Sequence, residues 1–191
     1  MREATKAISS SYFTGLRDLL SVGSSTSDLF QSIVDAPFKD KLSATDIDLG
    51  IVVLLLVNKK TNMIDRVALS DTDLARQAVN MSAKPFKSIK IPLGHEGNSV
   101  AKAISTGEVQ KVSDWQYLFA PSLTPQEARL NQAGSGIECS FIYPLKDVQD
   151  GGALIFSFYQ PPQNVGDQHD VFVKEYGSIV CDALNSLKKD R

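Results

Sequence analysis

Apolar positions along this chain follow two periods, and the change from one to the other marks out its elements. Over residues 2–20, Ala7, Phe13, Leu16, Leu19 and Leu20 recur at helix-compatible spacing. Val22-Gly23-Ser24-Ser25 breaks that run. Thr26 or Ser27 then caps a second helix with the stripe Leu29, Phe30, Ile33 and Val34, which Pro37 ends. Residues 50–57 and 63–69, joined by polar residues 58–62, read as an antiparallel hairpin. The first of these runs is apolar on both faces, which predicts a central strand covered from both sides.

The spacing of Leu74, Ala75, Ala78 and Val79 predicts a helix over 71–82, and a strand is expected over 88–93. Val100, Ala101 and Ile104 give a helix over 99–105 that Gly107 stops, followed by a short strand over 109–112. Residues 113–135 read as a long irregular segment with one helical turn over 124–131, where Thr124-Pro125 supplies a cap and a proline at the first helical position. Such a loop inside a domain reads as a lid. Strands over 137–145 and 153–159 precede a final helix over 167–189. Its apolar positions Val171, Phe172, Tyr176, Ile179, Val180, Ala183, Leu184 and Leu187 recur every three or four residues. Six strands with local hairpins and helices at both ends predict an α+β domain on an antiparallel sheet. The expected organisation is one domain over 1–191, with an N-terminal helix over 2–20 and a C-terminal helix over 167–189.

A hydrophobic content of 42% in 191 residues is enough for a sizeable core. The net charge of −2 is spread along the chain, so no nucleic-acid partner is expected. The longest apolar run, 51–57, is far short of the roughly 20 residues of a membrane span, and residues 1–15 lack a signal-peptide core. The chain therefore reads as soluble and cytoplasmic, with no membrane partner. Cys139 and Cys181 lie in apolar surroundings and read as buried, reduced thiols. His95 and His169, the only imidazoles, sit in polar stretches and read as solvated. No Cys and His cluster has metal spacing, and Gly94-His95-Glu96-Gly97 lacks the Lys and hydroxyl of a phosphate loop. No metal or cofactor is expected.

Ile91-Pro-Leu-Gly-His-Glu-Gly-Asn-Ser-Val-Ala, Val112-Ser-Asp-Trp, the strand ending in Pro144-Leu145 and the glycine-started strand after Gly151-Gly152 occur in an order that resembles the GAF family of small-molecule sensor domains. The resemblance covers roughly residues 28–187. It implies terminal helices on one face of the sheet, forming a homodimer, and a ligand cleft on the other face beneath the inserted helices and long loop. Carried to this sequence, Trp115, Tyr117 and Phe119 would close the cleft, while Ser140, Phe156 and Phe158 would form its floor. Strand parity adds Ile142 and Leu154 to that floor and turns Cys139, Phe141 and Tyr143 toward the terminal helices. The polar anchors would be Glu138, Ser140 and the helix start at Asn98 and Ser99, whose free amides suit an oxygen.

This lining implies a small, mostly apolar ligand. Bilin attachment is not expected, because neither cysteine precedes a His. Free methionine sulfoxide reductases share this fold, but Ser140, Phe156 and Phe158 stand where their carboxylates would be. With no nucleophile and base pair in sight, the expectation is a non-enzymatic sensory module. The alternative is a dimerisation scaffold whose cleft is filled by its own aromatic side chains.

Overall fold

The apolar run at the centre of the pattern forms β1, Leu49–Asn58, in a computed structural model that describes residues 8–22, 25–39 and 47–187. It pairs antiparallel with β2, Met63–Leu69, on one side and with β6, Gly152–Phe158, on the other. β3, Ile91–Pro92, lies outside β2, while β5, Cys139–Pro144, and then β4, Gln110–Val112, lie outside β6. The result is a six-stranded antiparallel sheet in the order β3-β2-β1-β6-β5-β4, as the α+β reading expected. The strand expected over 88–93 is reduced to two residues, because Phe86–Ser88 coils into a 3-10 turn closed by bonds from the Ser88 and Ile89 amides. In β2 the register shifts by one residue: Leu54 opposes Ala68, but Leu55 opposes Arg66, so Val67 is a bulge.

Three helices cover one face of the sheet: α1, Ser10–Ser21; α2, Thr26–Asp35; and α7, Asp167–Ser186. The parts of the expected terminal helices at 2–7 and 188–189 lie outside the described residues. α2 is capped one residue earlier than expected, by the Ser25 hydroxyl accepting from the Asp28 amide at 3.2 Å. Beneath the helices, Leu16, Ile33, Leu54, Phe156, Phe158 and Tyr176 form a tightly buried core. Phe156 meets Phe172 and Tyr176 edge-on at 5.7 and 5.5 Å, and the Tyr176 hydroxyl donates to the Ile33 carbonyl at 2.5 Å.

This arrangement corrects the expected cleft floor. Leu154, Phe156 and Phe158 face the terminal helices, not the opposite side. Directly paired residues of neighbouring strands share a face, and the partner of Ser140 is Ser157 while that of Phe141 is Phe156. Cys139 and Phe141 do face the helices, as expected, and Tyr143 packs against the same core.

α7 approaches the sheet closely at Gly177, where an added Cβ would lie 2.3 Å from the Tyr143 ring. Its outward positions, Val171, Lys174, Glu175, Ser178 and Asp182, are mostly polar, whereas Ile179 is buried in the core. His169 is not solvated as its sequence surroundings suggested; it is 2% exposed and stands edge-on to Phe158 at 5.1 Å. Its Nδ1 accepts from the Gly166 amide at 3.1 Å and its Nε2 donates to the Ile47 carbonyl at 3.2 Å. Both bonds suit the neutral ring.

Two predictions follow from this packing. Helix propensity alone would make Gly177→Ala stabilising by about 1 kcal/mol, but displacing the Tyr143 ring costs roughly 1–3 kcal/mol. A net loss in urea denaturation is expected, and a gain would show that α7 does not press on β5 as described. Burial holds the His169 imidazole below its ordinary value of 6.5, outweighing hydrogen bonds that raise it. The unfolded chain therefore binds the proton first. The contribution of His169 is complete above about pH 6.5 and declines as pH falls through that value toward the lower folded pKa. The urea midpoint should drop between pH 7.5 and 5.5, and His169→Gln should flatten that dependence.

Candidate functional site

On the sheet face away from the terminal helices, β1 presents Ile51, Val53 and Leu55, β6 presents Ile155 and Ser157, and β5 presents Ser140 and Ile142. The Val67 bulge places both Arg66 and Leu69 of β2 on this face. Over it lie α3, Asp73–Asn80; α4, Ser99–Thr106; α5, Gln116–Phe119; and α6, Pro125–Ser135. The segment read as a long irregular lid is therefore two helices. α6 runs four residues further than expected, since a full capping box of Thr124 and Glu127 starts it and Gly136 at φ 69° ends it.

Side-chain hydrogen bonds fasten this roof. Asn98 Oδ1 accepts from the Val100 and Ala101 amides at 2.8 and 3.2 Å, capping α4. Its Nδ2 donates to the Leu118 and Ala120 carbonyls at 3.1 and 2.7 Å, holding α5. The Trp115 indole donates to Ser140 Oγ at 3.1 Å, and Ser140 shares a 2.8 Å bond with Ser157. Gln132 of α6 accepts from the Trp115 amide at 2.9 Å and donates to the Ser113 and Ile137 carbonyls. Arg129 pairs with Asp114 at 2.9 Å.

Between roof and sheet is a cavity of about 40 Å³ for the centres of water-sized molecules. That is room for roughly three waters at 10–15 Å³ each. Ile51, Val53 and Ile155 form its floor, Trp115, Leu118 and Phe119 its roof, and Arg66, Asn131 and Ser157 its polar groups. Val79, 39% exposed, and the half-buried Ser82 and Phe86 mark its mouth.

Arg66 is the unusual member of this lining. It is 6% exposed, its guanidinium lies over Phe119 at 4.5 Å and Phe86 at 5.6 Å, and its Nε and Nη2 have no hydrogen-bond partner among the described residues. Burial lowers its pKa to about 10, which leaves it cationic at neutral pH. Asn131, 2% exposed, has an equally unpartnered Oδ1. Such groups in an apolar setting are costly unless something pairs with them.

Several expected site residues take other places. Trp115 and Phe119 line the cavity, and Ser140 and Ile142 lie on its side of the sheet. Tyr117, 48% exposed, does not close the cleft, because the single turn of α5 points residues 115, 118 and 119 inward and residue 117 outward. The Asn98 side chain takes the Val100 and Ala101 amides, and the Asn98 amide itself donates to the His95 carbonyl at 3.1 Å, so these three are not free for a ligand; Ser99 is half-buried at the start of α4. The cavity lies under the buried Trp115 ring and not against Phe156 and Phe158, which are across the sheet. Sequence reasoning missed Arg66, Asn131, Ile155 and Ser157. For Arg66 a signal existed, since it shares strand parity with Ile64 in a run flanked by apolar residues. Burial pushes both thiols, Cys139 and Cys181, up to about 11. Among the described residues there is no cluster of His, Cys, Asp or Glu suited to a metal ion, and no helix is long and apolar enough to cross a membrane.

No protein-family model matches the chain, and no curated protein sequence does. Solved structures do. The GAF domain of the Acinetobacter phosphoenolpyruvate-protein phosphotransferase aligns with a TM-score of 0.63 at 9% identity, covering 95% of this chain and 97% of that one. A putative GAF sensor protein from Burkholderia vietnamiensis gives 0.59 at 13% identity over 100% and 99% of the two chains. The Neisseria meningitidis free methionine-R-sulfoxide reductase, in complex with its substrate, gives 0.62 at 12% identity over 100% of both. The chain has a GAF-like fold. The expectation of a non-enzymatic module is corrected by the third of these, because an enzyme is built on the same fold over its full length. The argument behind that expectation also used Phe156 and Phe158 as cleft residues, which they are not.

Asn98→Asp keeps a good helix cap but removes both donors to Leu118 and Ala120. Amide hydrogen exchange in residues 116–120 is expected to accelerate by tenfold or more, about 1.4 kcal/mol of local opening, while α4 stays protected. Equal protection of α5 in the variant would mean that Asn98 does not fasten the roof.

Proposed function

We propose that the chain is a sensory domain that takes a small, largely apolar ligand into the cavity between Arg66 and Trp115. The GAF-like fold it shares with a GAF sensor protein supports this reading. The observation that carries it is the cavity itself, walled by hydrocarbon and aromatic surface and roofed by short helices that polar side chains hold in place. A ligand larger than a few waters must displace α5 or the segment around Phe86, and a domain responds when its ligand prefers one of two such arrangements.

The output runs through β6. Ile155 and Ser157 line the cavity, while Leu154, Phe156 and Phe158 of the same strand press on α7 through Phe172, Tyr176 and His169. A shift of the strand therefore reaches the terminal helices without crossing a loop. Homodimerisation through those helices would rest on polar contacts, given the outward positions of α7.

Trp115, the only tryptophan, is a built-in reporter. Screening small metabolites by its fluorescence should yield ligands that change the emission and raise the melting temperature. Ile155→Phe, which fills the floor, should abolish that response with the far-UV spectrum unchanged. Unaltered affinity in Ile155→Phe would remove the cavity as the site, and no ligand for the wild type would favour a filled scaffold.

A further inference from the structure

We infer that the ligand of this cavity is a small monocarboxylate with a short hydrocarbon body, its carboxylate paired with Arg66. The inference rests on the proposed ligand-binding reading and specifies its chemistry. Arg66 differs from Arg76 and Arg129, which are half exposed and form ion pairs with Asp71 and Asp73 and with Asp114. It alone of these three is buried, and no carboxylate of the described residues reaches it. Its guanidinium carbon lies over the Phe119 ring at 4.5 Å and the Phe86 ring at 5.6 Å, and its Nε and Nη2 are enclosed without a partner among the described residues. A guanidinium edge with unpartnered N–H groups matches the two oxygens of a carboxylate, as a lone ammonium would not.

The rest of the lining selects among anions. Arg66 is the one charged side chain in the lining, while Lys84 donates to the Ser122 carbonyl at 2.5 Å and Lys90 pairs with Asp65 at 3.3 Å. A dianionic phosphate would keep an uncompensated charge among Ile51, Val53, Ile89 and Ile155, whereas a carboxylate is neutralised one to one. Those four side chains then take the hydrocarbon body. The guanidinium also touches both segments that must part for a guest, through Phe86 at the mouth and Phe119 on α5. Pairing it with an anion thus acts on the roof directly.

The test is a titration of the full chain with propanoate, butanoate and pentanoate, beside butanamide, 1-butanol and methylphosphonate. Trp115 fluorescence and the Arg66 Nε–H resonance are followed. The carboxylates are expected to bind at least tenfold more tightly than the amide or the alcohol and to shift both signals. Arg66→Met should lose carboxylate binding by tenfold or more and melt at a higher temperature than the wild type, since it removes an unpaired buried charge at similar volume. If the amide or alcohol binds the wild type and Arg66→Met as well as the carboxylates do, the cavity reading stands and the carboxylate inference is overturned. Preference for methylphosphonate also overturns it. Carboxylate binding that survives in Arg66→Met, or a lower melting temperature for that variant, assigns Arg66 a structural role instead. If none of the compounds binds, the carboxylate inference fails, while a response to other small molecules in the metabolite screen keeps the cavity reading alive.

Discussion

The antiparallel pairing of β1 with β6 is the constraint from which both sides of this molecule follow. Nearly every side chain of these two strands is enclosed on one face or the other. Their register therefore decides which residues meet the terminal helices and which meet the cavity. A slip of one residue would exchange the two sets, placing phenylalanine rings in the cavity and the Ser157 hydroxyl among Phe172 and Tyr176. Gly152 fixes the approach at one end, because a Cβ there would stand 2.4 Å from the Leu55 carbonyl oxygen. Only a glycine allows β6 to begin so close to β1.

The two layers on that sheet are held by different forces. The helix side is a continuous apolar core crossed by few polar groups, and its stability scales with buried area. The cavity side combines a second apolar cluster with Asn98, Trp115, Gln132 and the Arg129–Asp114 pair, each contributing on the order of 1 kcal/mol. Bonds of that size open locally long before the helix side gives way. The division suits a domain whose roof moves over a rigid sheet.

Much of this architecture was legible from the chain. The double-faced run of β1, the hairpin to β2, the stop at Gly107 and the Thr124-Pro125 helix start are local signals that no tertiary contact overrides. The face of β6 was not legible, because Gly152–Phe158 is buried throughout and only Ser157 distinguishes its sides. Ser140 was placed on the correct face of β5, but its pairing with Ser157 is a long-range register that the strand pattern does not encode. Arg66 was overlooked because a charged residue in a strand ordinarily marks the solvent side. Here the aromatic rings of two distant segments, Phe86 and Phe119, enclose it, and neither lies near it in sequence.

The bulge at Val67 gives chain length an unexpected influence over electrostatics. Leu54 already faces Ala68; with unbroken alternation Leu55 would face Val67 and Leu56 would face Arg66. The cavity would then be walled by hydrocarbon, and the guanidinium would turn toward the helix core beside Leu56. One extra residue in β2, without any change of composition, converts a greasy hollow into a cationic one. In a lineage of such domains, insertion and deletion within this hairpin could alter ligand charge more readily than substitution could.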